Sequence, residues 1–447
     1  MKLKKTVDLT EGSIPKKLLL YALPLMAGNI LQQLYNIVDT VVVGKYLGED
    51  ALAAVGSAYT IMILITSVII GLCMGSSVYF SVKFGQKDEN GIRQSFFISF
   101  IGIFVVTAIL IALAYALLYP LIYLLNIPAE IQPMFHNYML VVFAGIFAIF
   151  LYNIFANLLR AVGNSVIPLA FLAVSAVTNI ALDLLFILQF KWGVIGAAAA
   201  TVIAQYLSGI GIMIYYFFFG GNLRVKKADM KWDKKIFKEL ARLSSLTCIQ
   251  QSIMNFGILM VQGLVNSFGT AVMAAFAAGV KIDTLAYSPV QDFGNAFSSF
   301  VAQNYGAQKE DRVKKGVKSA GIMVTCFCTA ISLLVCLLGS QLMTVFIDKE
   351  NVEVIAIGVK YLRIEGACYI GIGLLFMLYG YFRAIDKPVM SIILTVISLG
   401  VRVALAYLLV YFTTLGETGI WMSIPIGWAL ADIVGIVYGF VIKRKEI

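Results

Sequence analysis

KKLLLYALPLMAGNILQQLYNIVDTVVVG, residues 16–44, is a long apolar run with an acid near its far end. Wound as a helix of about 3.6 residues per turn, it puts Gln32, Tyr35, Asn36 and Asp39 at i, i+3, i+4 and i+7, so amide, phenol and carboxylate share one face. A bilayer needs about 20 apolar residues per helix, and this run supplies them on both sides of the polar face. Asp39 therefore belongs to a membrane-spanning helix, where a carboxylate is costly unless it faces a cavity or a partner.

The rest of the chain repeats the theme. Of its 447 residues 60% are hydrophobic and only 13% charged, with a mean hydropathy of +0.90, a balance that fits a polytopic helical membrane protein and no soluble domain of this length. Apolar runs from 16–44 to 418–442 give about twelve spans, and the fold class is all-α. Met1 to Lys17 is basic and polar, without an apolar core before a small-residue site, so no removable signal peptide is expected. The six cysteines lie in apolar segments without metal-ligand spacing and read as packing residues.

A net charge of +10 suggests nucleic acid until its distribution is read. Lys and Arg collect in alternate gaps between spans: Lys2, Lys4, Lys5, Lys16 and Lys17, then Lys83 to Arg93, Arg160, Arg224 to Arg242, Lys309 to Lys318, Arg383 with Lys387, and Lys443 to Lys445. That is the positive-inside pattern, which makes the partner a lipid bilayer and not nucleic acid and puts both termini in the cytoplasm of a multi-pass protein of the inner membrane. Lys281, Arg363 and Arg402 lie within apolar runs and call for partners there.

The basic stretch near the middle divides the chain into an N-terminal lobe (1–220), a linker (221–238) and a C-terminal lobe (239–447), and the lobes repeat one another. Gly48 and Gly269 are 221 residues apart, as are Gly85 and Gly306. Arg160-Ala161-Val162 recurs as Arg383-Ala384-Ile385, and Gly193 with Gly196 as Gly416 with Gly419, at an offset of 223. Two six-span halves of the same orientation follow, the parallel-repeat class of transporter.

Asp39 has polar company in the first lobe. Span five carries Asn179 and Asp183 one turn apart, and span six carries Thr201 beyond the small-residue run that begins at Gly193. Counted from the outer ends of their spans at 1.5 Å per residue, Asp39, Asp183 and Thr201 all lie roughly 10 Å deep. Two buried carboxylates at one level repel when both are ionised, so the set suits a shared proton or, with its amide and hydroxyl oxygens, a hard monovalent cation. The plainer alternative is that each is a hydrogen-bonded helix-packing residue.

Pro24 with Asp39, Asn179 with Asp183, Thr201, and Leu159-Arg160-Ala161-Val162-Gly163-Asn164 together resemble the multidrug and toxic compound extrusion (MATE) family, in the branch that couples through N-lobe acids. The likeness covers nearly the whole chain. It implies a V-shaped pair of six-helix lobes, alternating access, and export of lipophilic organic cations against inward Na⁺ or H⁺, with Asp39, Asn179, Asp183 and Thr201 lining the ion site beside Tyr35 and Asn36. Those four would also be the metal ligands if the ion is Na⁺; no cofactor is implied. It further implies that Pro24 lets span one bend as the acid changes state.

The second lobe departs from some relatives. Span seven has Gln250, Gln251, Asn255 and Gln262 where certain members carry an acid, which suggests a polar, uncharged cavity wall. Asp283 and Asp292 in span eight keep a cation site possible there, while Asp283 equally suits a pairing with Arg363, Glu365 or Arg402. His136 reads as structural. Two other functions were weighed. A lipid-linked sugar flippase needs several basic residues in its cavity, and an intramembrane enzyme needs a motif such as His-Glu-x-x-His or a phosphate loop, which the chain lacks. The chain is expected to act as a monomer and not to be an enzyme.

Overall fold

The computed structural model describes residues 6–124 and 127–445, so Lys2, Lys4 and Lys5 lie outside the described residues. Helices follow one another with short turns: α1 (Ile14–Leu47), α2 (Glu49–Gly85), α3 (Glu89–Ala116), α4 (Leu118–Leu124), α5 (Gln132–Ala144), α6 (Ile146–Ala161), α7 (Val166–Leu184) and α8 (Gly193–Phe219). After the linker come α9 (Lys234–Asn266), α10 (Thr270–Gly306), α11 (Glu310–Met343), α12 (Val352–Gly366), α13 (Tyr369–Ala384), α14 (Pro388–Phe412) and α15 (Glu417–Lys445).

Among the described residues, ten segments are long and apolar enough to cross a membrane, counting α5 with α6 as one, and α12 with α13 makes an eleventh, bent by 50°. The expected twelfth is α1, which spans 34 residues but falls outside that set because Asn29, Gln32, Gln33, Asn36 and Asp39 dilute its apolar run. Pro24 and Pro289 sit inside helices that continue past them.

The repeat seen in the sequence is built into the backbone. Gly48 and Gly269 take nearly the same left-handed turn, at φ 90° and 93°, ahead of two 37-residue helices, α2 and α10. Lys87 and Gln308 repeat at φ 58° and 56°, Gly193 and Gly416 at 58° and 56°, and Gly163 and Asp386 at 86° and 62°. Such φ values are costly for most L-residues, so their recurrence at the two offsets marks equivalent turns of equivalent halves.

The chain forms two compact units whose bounds differ from the lobes expected at 220 and 239: residues 1–8 with 27–248, and residues 9–26 with 249–447. The division falls inside α1, just after Pro24, and inside α9. Hydrogen bonds explain both shifts. In the second unit Arg312 donates to the carbonyls of Leu9, Glu11 and Gly12 at 3.1, 2.9 and 2.8 Å, and Asn304 Nδ2 donates to Leu9 O at 3.1 Å. In the first, Arg93 holds the linker, its Nε donating to Asp229 Oδ2 at 2.8 Å and its Nη1 to Asn222 O at 2.7 Å. The start of α9 packs on α2 so closely that a Cβ at Gly75 would lie 2.4 Å from Ser244 Cα, while Ser76 and Ser244 hydroxyls bond at 3.0 Å.

Because backbone blocks the space at Gly75, Gly75→Ala must push α2 and α9 apart. A loss of about 1–3 kcal/mol is expected, read as a lower unfolding temperature of the detergent-solubilised protein; an unchanged value would show that this contact does not set the packing.

Candidate functional site

In the first unit Ser175, Asn179 and Asp183 recur every fourth residue along α7, and all three are buried. α8 meets this stripe in register. Ser175 Oγ donates to Ala204 O at 2.9 Å, and one turn along Asn179 Nδ2 donates to Thr201 Oγ1 at 3.3 Å. Small residues make that approach possible, as at Gly196, whose Cβ would stand 3.1 Å from Phe186 Cβ. Directly after Asp183 the helix widens into a π turn at Leu185–Gln189, a distortion that recurs at functional sites because it re-aims the neighbouring side chains.

α1 closes on the same stripe. A Cβ at Gly28 would touch Leu172 of α7 at 3.4 Å, and further along the Asp39 and Asp183 carboxyls are immediate neighbours. They lack the alignment of a good hydrogen bond to each other. As a result Asp39 Oδ1, Asn179 Oδ1 and both Asp183 oxygens are buried acceptors that no donor meets among the described residues. Four such atoms in one place are rare in a folded protein, where buried polar groups are paired.

The structure thus brings together Asp39, Asn179, Asp183 and Thr201. Tyr35 lies within electrostatic reach of Asp39 and is bonded by Gln32. Asn36 is half-buried on α1, and its backbone carbonyl accepts from Thr40 Oγ1 of the same helix at 2.8 Å, a bond apart from the acid pair. Tyr138 on α5, not singled out in the sequence, is buried within reach of Asp39, Asp183 and Tyr35. Nothing in its local pattern distinguishes it from the other tyrosines; only the packing of α5 brings it here. His136 on the same helix rests against Tyr119, ring centroids 5.1 Å apart.

The second unit arranges its acids differently. Asp283 is buried and accepts from Tyr361 Oη at 2.5 Å and from Tyr369 Oη, with Glu365 beside it and Arg402 nearby. Of the pairings anticipated for Asp283, Glu365 and Arg402 are its neighbours; Lys281 instead stands over the Phe346 ring. Asp292, nine residues along α10, is about 13 Å away by helical rise. Gln250 and Gln251 line a small cavity, but the wall expected to be uncharged includes Arg383. Asn255 is half-buried, one turn beyond Gln251, and Gln262 bonds Asn266 on its own helix at 2.8 Å.

A duplicated bundle of membrane-spanning helices, with an acid pair held between helices of one unit, has the build of a transporter. The MatE family model matches twice, at residues 24–185 and 247–408, starting 223 residues apart as in the repeat, and the chain belongs to that family. Its members are transporters and not enzymes. The chain is 29% identical over 437 residues to a probable multidrug resistance protein, YpnP, of Bacillus subtilis (strain 168), covering 97% of this chain and 96% of that one. It is 25% identical to a probable multidrug resistance protein, NorM, of Thermotoga maritima, over 94% and 90% of the two chains. A solved structure described as the outward-facing conformation of a multidrug resistance MATE family transporter of the MOP superfamily matches with a TM-score of 0.90 at 26% identity, covering 99% of this chain and 98% of that one.

Thr201→Val removes the acceptor of Asn179 and leaves a buried N–H unpaired. The purified variant is expected to lose about 1–3 kcal/mol of stability, with Thr201→Ser restoring most of it; equal melting of all three proteins would show that the bond is dispensable.

Proposed function

We propose that the protein is a secondary active multidrug efflux transporter of a bacterial inner membrane, which exports lipophilic organic cations by antiport with Na⁺ or H⁺. The observation that carries this reading is the cluster of buried acceptors at Asp39, Asn179 and Asp183, which has oxygens in excess and donors in deficit. A proton between the two carboxyls supplies a donor and removes a charge. A Na⁺ ion would supply charge to the same oxygens, with the Thr201 hydroxyl as a further ligand. Either way the site is satisfied only when a cation occupies it.

Coupling follows from that requirement. With the cation gone, two facing carboxylates repel across the α1–α7 contact, and α1 is the element least able to resist. Pro24 removes one of its internal hydrogen bonds, and Gly28 offers α7 no side chain. The two equivalent halves suit alternating access. The likeness to proteins named as probable multidrug resistance proteins supports drug export, and a chain with 30 Phe and 16 Met has the soft, polarisable side chains that accept bulky lipophilic cations. The alternating basic gaps support cytoplasmic termini, and since one chain supplies every site residue a monomer suffices. A flippase of lipid-linked diphosphates fits less well, because the first unit's buried site is acidic.

In proteoliposomes, export of a cationic dye is expected to follow an imposed Na⁺ gradient or an imposed pH gradient, and that comparison identifies the coupling ion. Asp39→Asn and Asp183→Asn should each bring ion-driven export down to the level of protein-free vesicles while leaving expression intact. Full export by both variants would refute the site.

A further inference from the structure

Deep in the second unit lies a cation with no counter-charge. Arg383, in the last turn of α13, is 5% exposed. Its Nε donates to Tyr379 O at 3.2 Å and its Nη2 to Asn295 Oδ1 at 3.1 Å. Both partners are neutral, and among the described residues no carboxylate lies within ion-pair distance of the guanidinium. A guanidinium does not give up its proton in a protein, so burial cannot be relieved by neutralisation.

The position is imposed by the backbone. A Cβ at Gly380 would lie 2.4 Å from Gly294 O, and one at Gly294 would lie 2.8 Å from Phe376 O, so α10 and α13 are in direct main-chain contact. That contact sets Asn295 and Arg383 side by side, with Arg383 buried and Asn295 half-buried. Arg160, the repeat mate of Arg383, is only half-buried and has Tyr152 beside it, so the two halves differ in how deeply they bury this arginine.

Beside the guanidinium is a small, partly open cavity with room for about one water-sized particle, lined by Gln250, Gln251, Gln291, Asn295, Tyr379 and Arg383. Its wall is rich in amides, each of which can present N–H or C=O. Gln250 is 1% exposed, and its Oε1 meets no donor as placed. With the amide turned over, the same position offers N–H to the cavity. A water molecule would satisfy the amides but leave the charge unbalanced. A small anion does both.

We propose that Arg383 and the surrounding amides of α9 and α10 form a binding site for one dehydrated monovalent anion of the halide class, chloride at cellular concentrations. The site lies apart from the acid pair of the first unit and does not depend on the reading of that pair. The anion acts as the missing counter-ion that lets α10 and α13 close over a buried arginine.

The test is thermal unfolding of the purified full chain in chloride and in gluconate at equal ionic strength. The wild-type melting temperature is expected to climb by several degrees along a saturating chloride titration and to stay flat in gluconate. Gln250→Glu places a carboxylate beside the guanidinium. It should melt in gluconate at or above the wild-type value in chloride and respond to chloride no further. Arg383→Gln should likewise lose the response; should it fail to fold, the wild-type and Gln250→Glu arms still decide. In crystals soaked with bromide, an anomalous peak is expected beside Arg383. Identical wild-type melting in the two salts means that the cavity holds water only and overturns the proposal, as does a chloride response undiminished in Gln250→Glu.

Discussion

A carboxylate taken out of water must be given either a donor or an opposite charge, and in a bilayer nothing around the protein supplies one. The first unit withholds both at Asp39 and Asp183. Among the described residues no hydrogen bond reaches Asp39 Oδ1 or either Asp183 oxygen, and the Asn179 Nδ2 donor is committed to Thr201. The tyrosines Tyr35 and Tyr138 stand close enough to feel the acids. Under the proposed function, the energy of this arrangement depends on whether a cation is present, and such dependence would let the site drive a conformational cycle. A fully bonded acid would be more stable and would do nothing.

The second unit shows the other outcome with similar materials. Asp283 is satisfied by Tyr361 and Tyr369, hydroxyls brought in by two helices that meet at a bend. Duplication thus produced one half in which Asp39 Oδ1 and both Asp183 oxygens stay unbonded and one in which Asp283 is bonded by two phenols, although Glu365 Oε1 beside it meets no donor among the described residues. The scaffold beneath them is the same, as the paired left-handed turns show. Divergence lies in the side chains that project from equivalent backbone, and the burial of Arg383 against the half-exposure of Arg160 is a second instance.

What could be read beforehand follows from which features are local. Spans are legible because membrane burial demands unbroken apolar runs, and the repeat because glycines at costly φ values cannot drift. Asn179 and Asp183 share a face by helical arithmetic alone, and their meeting with Asp39 and Thr201 needed only a count of depth. The rest depends on packing between distant segments. Tyr138 is one of 22 tyrosines until α5 is placed. The tyrosine lid of Asp283 joins α10 to residues on α12 and α13, and the π turn after Asp183 has no sequence signature. The bounds of the compact units differ from the composition-based lobes for a related reason: the linker's basic composition marks it as polar, but Arg93 and Asp229 bind it to the first unit.

The clasp around residues 9–12 also bears on how the protein is made. Leu9 N donates to Gln303 Oε1, a partner 294 residues later in the chain. At roughly 5–20 residues per second of synthesis, this segment waits on the order of 15–60 s before its partner exists. During that interval its backbone groups have only water or lipid headgroups to bond. The clasp therefore closes only after α10 has been synthesised, whereas the turns between neighbouring helices can close at once.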